Sequence, residues 1–117
     1  IKKDIKIKGA NILVLGITFK ENCPDVRNTK VVDMIAALKE YGVTITIYDP
    51  WANTDEVKKE YDLASVKELP NEKFEAVVLT VSHNEFKHID FASLKKENSI
   101  IYDVKNILSR SIKHKTL

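Results

Sequence analysis

The stretch GITFKENCPDVRNTK, residues 16–30, sets a glycine, two lysines, the chain's single cysteine, a proline and an arginine between two apolar segments. Several chemistries are open to it. A lysine ammonium at Lys20, supported by Phe19, can neutralise a phosphate, and a guanidinium can grip one through two parallel hydrogen bonds. Arg27 is one of only two arginines in the chain and stands just before a helix start. The competing role for Arg27 is an ion pair with Asp25 or Asp49 that orders the loop. Cys23 could act as a nucleophile if a cation or base stabilised its thiolate, but with no defined base partner it is expected to be inert.

Outside this loop the reactive residues are sparser. Ser82, His83 and either Asp90 or Asp103 could be written as a hydrolase triad, yet the chain lacks the G-x-S-x-G elbow that exposes such a serine. His83 and His88 are five apart, which does not bring both to one helix face, and no cluster of carboxylates accompanies them, so no metal site is expected. His83 is read as a cap or as a ligand contact.

These residues need a frame. NILVLG is a short apolar run bounded by Gly9 and Gly16 and predicts a buried strand. From Thr29 the spacing becomes helical, with Val31, Val32, Ile35, Leu38 and Tyr41 on one side, Asn28 or Thr29 as the cap and Gly42 as the stop. VTITIYD predicts a second strand, giving a βαβ unit whose strands run parallel. A short helix begun at Asn53 or Thr54 follows, then a weakly patterned region around ASVKELPNEKFE. AVVLTVS is expected as a third strand, one or two short helical turns follow, SIIYDV is a fourth strand, and residues 105–117 form a final helix or tail. The alternation predicts an α/β fold, a three-layer sandwich around a mostly parallel Rossmann-like sheet.

In open sheets of this kind ligands gather beyond the carboxyl ends of the strands, which is where GITFKENCPDVRNT, DPWAN, SHNEF and DVKN lie. A dinucleotide site would show G-x-G-x-x-G in the first turn, whereas Gly16 is followed by Ile17, Thr18, Phe19 and Lys20 and the chain holds three glycines in all. The sheet therefore lacks a dinucleotide fingerprint. Asp49, at the end of the second strand, is expected to cap the DPWAN turn in preference to holding a ribose.

Length and composition bound the rest. The 117 residues suit one domain, and 44% hydrophobic with 31% charged residues is ordinary for a globular protein. A net charge of +2 with lysines and acids interspersed argues against a nucleic-acid surface. No apolar run is long enough to cross a bilayer and the Lys-rich start lacks a signal-peptide core, so a cytoplasmic location is expected. One cysteine excludes an internal disulfide and fits a reducing compartment. A start at Ile1 without methionine is expected of a domain cut from a longer protein or of a processed or incompletely recorded short one.

LGITFKENCPDVRNTKVVDMI, followed by YDP after the second strand, resembles the C-terminal domain of the UDP-glucose/GDP-mannose dehydrogenase family: a strand, G-x-x-F-K, a polar loop with D-x-R, then a helix. VSHNEF and DVKNIL fall in the family's order, so the resemblance runs from about Asn11 to Leu108. It implies an enzyme that oxidises C6 of a nucleotide-linked sugar to a carboxylate in two NAD-dependent steps. In such enzymes an N-terminal Rossmann domain holds NAD, a central helical domain mediates dimerisation, a cysteine elsewhere carries the covalent intermediates, and the C-terminal domain closes over the site and contacts UDP. By the motif match Phe19 and Lys20 would hold the nucleotide diphosphate or sugar, and Arg27 would reach toward NAD. Lys105 or Asn106 would stand where the family has an arginine pair or Arg-Asn.

Two positions depart from the family's pattern. Asp103-Val104-Lys105-Asn106 replaces D-G-R-[RN], and Ser82-His83-Asn84-Glu85-Phe86 stands where UDP-glucose enzymes have T-E-W. The latter looks more like the branch acting on UDP-N-acetylhexosamines, which serves bacterial capsule and lipopolysaccharide. Cys23 does not match the family's nucleophile segment. The resemblance thus implies a UDP-sugar partner, contacts with the protein's own N-terminal and central domains, a parent that is a homodimer or larger, and an isolated chain that is inactive; with no heptad pattern or large apolar helix face left over, that chain is expected to be monomeric. The alternative class is a non-enzymatic nucleotide-binding or interaction module.

Overall fold

The computed structural model describes residues 9–103 and 115–116. Six strands form one sheet: β1 (Asn11–Leu15), β2 (Thr44–Tyr48), β3 (Ser65–Val66), β4 (Phe74–Leu79), β5 (Lys95–Asp103) and β6 (Lys115–Thr116). Their order across the sheet is β3-β2-β1-β4-β5-β6, and every neighbouring pair is parallel. Helices α1 (Val31–Lys39) and α2 (Thr54–Tyr61) cover one face, and two short 3₁₀ segments, Asn84–His88 and Phe91–Leu94, cover the other. The three-layer α/β expectation holds, with 3₁₀ turns standing in for helices on the second face.

β1 reads as an unbroken apolar run because both of its faces are buried. Ile12 and Val14 pack with Ile35 of α1 and Val57 of α2, while Leu13 and Leu15 pack with Phe74, Phe86, Phe91 and Leu94 on the opposite side. Each such side chain contributes about 1.5–3 kcal/mol when taken from water.

The ends of several elements differ from the sequence expectation. α1 stops at Lys39, so Tyr41, expected on its apolar side, lies beyond the helix and is exposed. Lys30 holds the N-cap position without a side-chain cap, and the Thr29 hydroxyl accepts the Val31 amide instead. Gly42, at φ +77°, ends the turn as expected. Asn53 caps α2 by accepting the Asp55 and Glu56 amides. β3 went unrecognised because only two of its residues pair, Ser65 and Val66 against Ile47 and Tyr48. β4 starts earlier than AVVLTVS and stops at Leu79. There Thr80 turns inward, its hydroxyl donating to the Leu15 and Gly16 carbonyls. The final helix or tail is corrected at Lys115–Thr116, which pair as an edge strand with Tyr102 and Asp103. The remainder of that expectation, Lys105 included, lies outside the described residues.

Strand order decides where a ligand could enter. From β1 the chain moves to β2 and β3 beneath the α-helices, then returns to β4 on the other side of β1 and continues outward beneath the 3₁₀ segments. The connections leaving β1 and β4 therefore diverge, which opens a crevice at their carboxyl ends.

Candidate nucleotide cleft at the β1–β4 border

Gly16 sets the geometry of this crevice. It adopts φ +101°, and a Cβ placed on it would lie 2.6 Å from Val81 Cβ. Only glycine lets the chain leaving β1 pass so close to the chain leaving β4. Beyond it a cleft of about 390 Å³ opens between the loop after β1, the start of α1 and the end of β4. Its lining combines the apolar residues Phe19, Val31, Met34 and Val81 with Thr18, Asn28, Thr29 and Thr80. Lys20 and Lys30, both exposed, supply two cations at its border. Mostly apolar walls with a few polar groups and two ammonium groups suit a nucleoside carrying anionic charge.

The loop that brings Phe19 and Lys20 here is held by a buried carboxylate. Asp49 Oδ2 accepts the Ile17 amide at 2.7 Å and the Thr18 amide at 3.2 Å, while Oδ1 accepts the Trp51 amide at 2.8 Å and the Ala52 amide at 3.1 Å. His83 Nε2 stands 3.0 Å from Asp49 Oδ2. Burial pushes the Asp49 carboxyl up, but the hydrogen bond from His83 and the amides of Ile17 and Trp51 outweigh it and hold the group below its ordinary range. Asp49 thus caps the DPWAN turn as expected and also ties the loop after β1.

This arrangement bears on NAD. The Ile17 and Thr18 amides open the first turn, where a dinucleotide fold presents backbone donors to a pyrophosphate. Here both are taken by Asp49, and Ile17 and Thr18 are fully buried. The first turn does not fit a dinucleotide pyrophosphate, in keeping with the missing glycines.

The remaining candidates separate clearly. Phe19 is 57% exposed and, with Lys20, lines the cleft. Arg27 does not line it: Nε and Nη2 donate to the two oxygens of Asp25 at 3.0 and 3.3 Å, with the arginine side chain 75% exposed. Of the two roles open to Arg27, the ion pair with Asp25 is the one present. It holds the Asp25 carboxyl below its ordinary range. Cys23 is a half-buried free thiol. His83 is fully buried, with Nδ1 accepting the Asn22 amide and Nε2 facing Asp49 and Thr18 Oγ1, so it is neither an exposed ligand contact nor the base of a Ser82 triad. Among the described residues no group of three His, Cys, Asp or Glu side chains could hold a metal.

Sequence reasoning missed Lys30, Thr80 and Val81 as cleft residues. Lys30 falls on the polar side of the expected helix and the other two fall within the expected strand. Their signal was positional, since they stand where two elements end at the border of β1 and β4.

The profile of the UDP-glucose/GDP-mannose dehydrogenase family, UDP binding domain, matches residues 13–110. The chain is 39% identical over 111 residues to the UDP-N-acetyl-D-glucosamine 6-dehydrogenase of Salmonella typhi, covering 92% of this chain and 26% of that protein. It is 41% identical over 113 residues to Protein CapL of Staphylococcus aureus, covering 93% and 26%. Among solved structures, the UDP-N-acetyl-mannosamine dehydrogenase Cap5O from S. aureus superposes with a TM-score of 0.70 at 21% identity, over 92% of this chain and 25% of that one, which is a likeness of fold. The chain spans about a quarter of the length of these curated relatives. From the profile match and these identities, this chain belongs to the UDP-glucose/GDP-mannose dehydrogenase family and corresponds to its UDP-binding domain.

Proposed function

We propose that this chain is the UDP-binding domain of an NAD-dependent UDP-N-acetylhexosamine 6-dehydrogenase that supplies uronic acids for bacterial surface polysaccharide. The observation that carries this reading is the cleft at the β1–β4 border, where Phe19 and Lys20 meet the start of α1 in a chain that matches a UDP-binding profile over residues 13–110. The nucleoside would lie against Val31, Met34 and Val81, with its diphosphate at Lys20 and Lys30. Lys105 would add a further cation from the segment after β5. The relative named for UDP-N-acetyl-D-glucosamine supports the N-acetylhexosamine branch.

The two oxidations at C6 belong to the N-terminal and central domains of the longer protein. NAD would be held there, with Arg27 on this domain's surface turned toward it. A cytoplasmic location and a dimeric or larger parent complete the proposal, and no described helix is long and apolar enough to cross a membrane.

Calorimetric titration of the chain with UDP, ADP and GDP tests the reading. UDP is expected to bind most tightly, with affinity falling as salt screens the lysine contacts. No NADH is expected from the isolated chain with any UDP-sugar. Absence of UDP binding at millimolar concentration, or equal binding of all three nucleotides, would overturn the assignment of the cleft.

A further inference from the structure

The buried imidazole of His83 reaches both sides of Lys20. Its Nδ1 accepts the Asn22 amide at 2.9 Å, and its Nε2 stands 3.1 Å from Thr18 Oγ1 and 3.0 Å from Asp49 Oδ2. Since Nδ1 accepts an N–H, the ring proton lies on Nε2, shared between the carboxylate and the threonine oxygen. The Thr18 hydroxyl in turn donates to the Lys20 carbonyl at 3.0 Å. Asn22 sits at φ +52°, where the chain reverses, and its side-chain oxygen accepts the Asn84 amide at 2.9 Å. Lys20 is thus the exposed crest of a short arch whose two feet, Thr18 and Asn22, stand on one ring.

That ring is itself fixed. Trp51 stacks on it at 6.0 Å between centroids and Phe86 meets its edge at 5.2 Å. Ordering a loop on binding costs affinity on top of freezing its side chains, and a backbone already placed removes the loop's share of that cost. We propose that His83 is a positioning residue for the anion-binding loop: by clasping Thr18 and Asn22 it presents Lys20 to the diphosphate of the bound nucleotide. The inference rests on the reading of the cleft given above and assigns His83 no contact with the ligand.

Two conservative variants divide the clasp. His83→Gln places an amide donor near Asp49 and withdraws the acceptor from Asn22, while His83→Asn keeps the acceptor and withdraws the donor. UDP affinity, measured by calorimetry, should fall about tenfold in His83→Gln and distinctly less in His83→Asn. The Asn22 amide should exchange with solvent faster in His83→Gln while the Thr18 amide stays protected. The decisive arm is the Lys20→Ala background, where adding His83→Gln should change UDP affinity little, because the clasp acts through Lys20. An equal loss in both backgrounds would make His83 a general stabiliser and overturn the inference. If a His83 variant does not fold, Thr18→Val, which removes the tether to the Lys20 carbonyl, takes its place in the same cycle with the same two outcomes. If the unaltered chain does not bind UDP, the functional reading falls, and the clasp is judged on Asn22 exchange alone: acceleration in His83→Gln supports it and unchanged protection overturns it.

Discussion

Two contacts to an aspartate in this molecule have the same length and opposite consequences. His83 meets Asp49 at 3.0 Å across 34 residues of chain with both side chains fully buried, and Arg27 meets Asp25 at 3.0 Å across two residues with the arginine side chain 75% exposed. The first joins the loops after β1, β2 and β4, and any partner it loses leaves a polar group in a place water does not reach. The second orders one stretch of a single loop in solvent, where screening and side-chain entropy cancel most of the attraction. The difference shows that distance alone says little about what a charged contact does. Burial and the number of chain segments joined decide it.

The sharpest way to break the comparison is Asp49→Ala. Four backbone amides and His83 lose their acceptor together, and a loss of about 3–5 kcal/mol is expected, read by denaturant unfolding. Arg27→Ala, at the other extreme, should leave the unfolding midpoint at the parent value. Acid sharpens the same contrast. Because the folded-state Asp49 carboxyl titrates below its ordinary range, its contribution is fully present above the unfolded carboxylate pKa of about 3.9 and is lost as pH falls through the folded value. Unfolding followed from pH 6 downward should show this loss, and an Asp49→Asn variant should show a flatter acid limb. Equal acid limbs would mean that the carboxylate is not held as described.

Gly16→Ala comes next. It places a Cβ 2.6 Å from Val81 Cβ at a positive φ, and a cost of roughly 2–4 kcal/mol is expected in thermal unfolding. Lys20→Ala lies on the binding side of the comparison. It should weaken UDP about ten- to a hundredfold, the range of a charge-assisted contact, while Tm stays near the parent value because Lys20 is exposed. The smallest effect belongs to Arg27→Ala in the longer enzyme proposed above, where stability should be unchanged and any kinetic change is expected in the KM for NAD. A change confined to the KM for the UDP-sugar would move Arg27 to the other ligand.

What the sequence revealed follows how local each feature is. β1 was legible because four buried residues in a row, Ile12 to Leu15, leave an apolar run, and α2 because Asn53 announces its own cap. That Phe19 and Lys20 stand at the carboxyl end of β1 was legible through a motif contained in one loop. β3 was not, since a pair of residues on an edge leaves no pattern. The role of His83 was not legible either, because its partners Thr18 and Asn22 are 65 and 61 residues away and Asp49 is 34 away. The cleft itself follows from strand order, and the departure of β4 to the far side of β1 has no signature in composition or period.

Trp51 is the chain's single tryptophan. Its indole N–H donates to Glu85 Oε1 at 2.9 Å while its ring lies over His83, so it spans the gap between the loops after β2 and β4. Every photon it emits therefore originates at the junction that holds the loop after β1. Its fluorescence will report the opening of that junction directly, without an introduced label and undiluted by a second indole. Emission that shifts before the far-ultraviolet circular dichroism changes would mark a local opening ahead of the loss of the sheet, and the interval between the two signals would measure how much less stable the junction is than the paired strands.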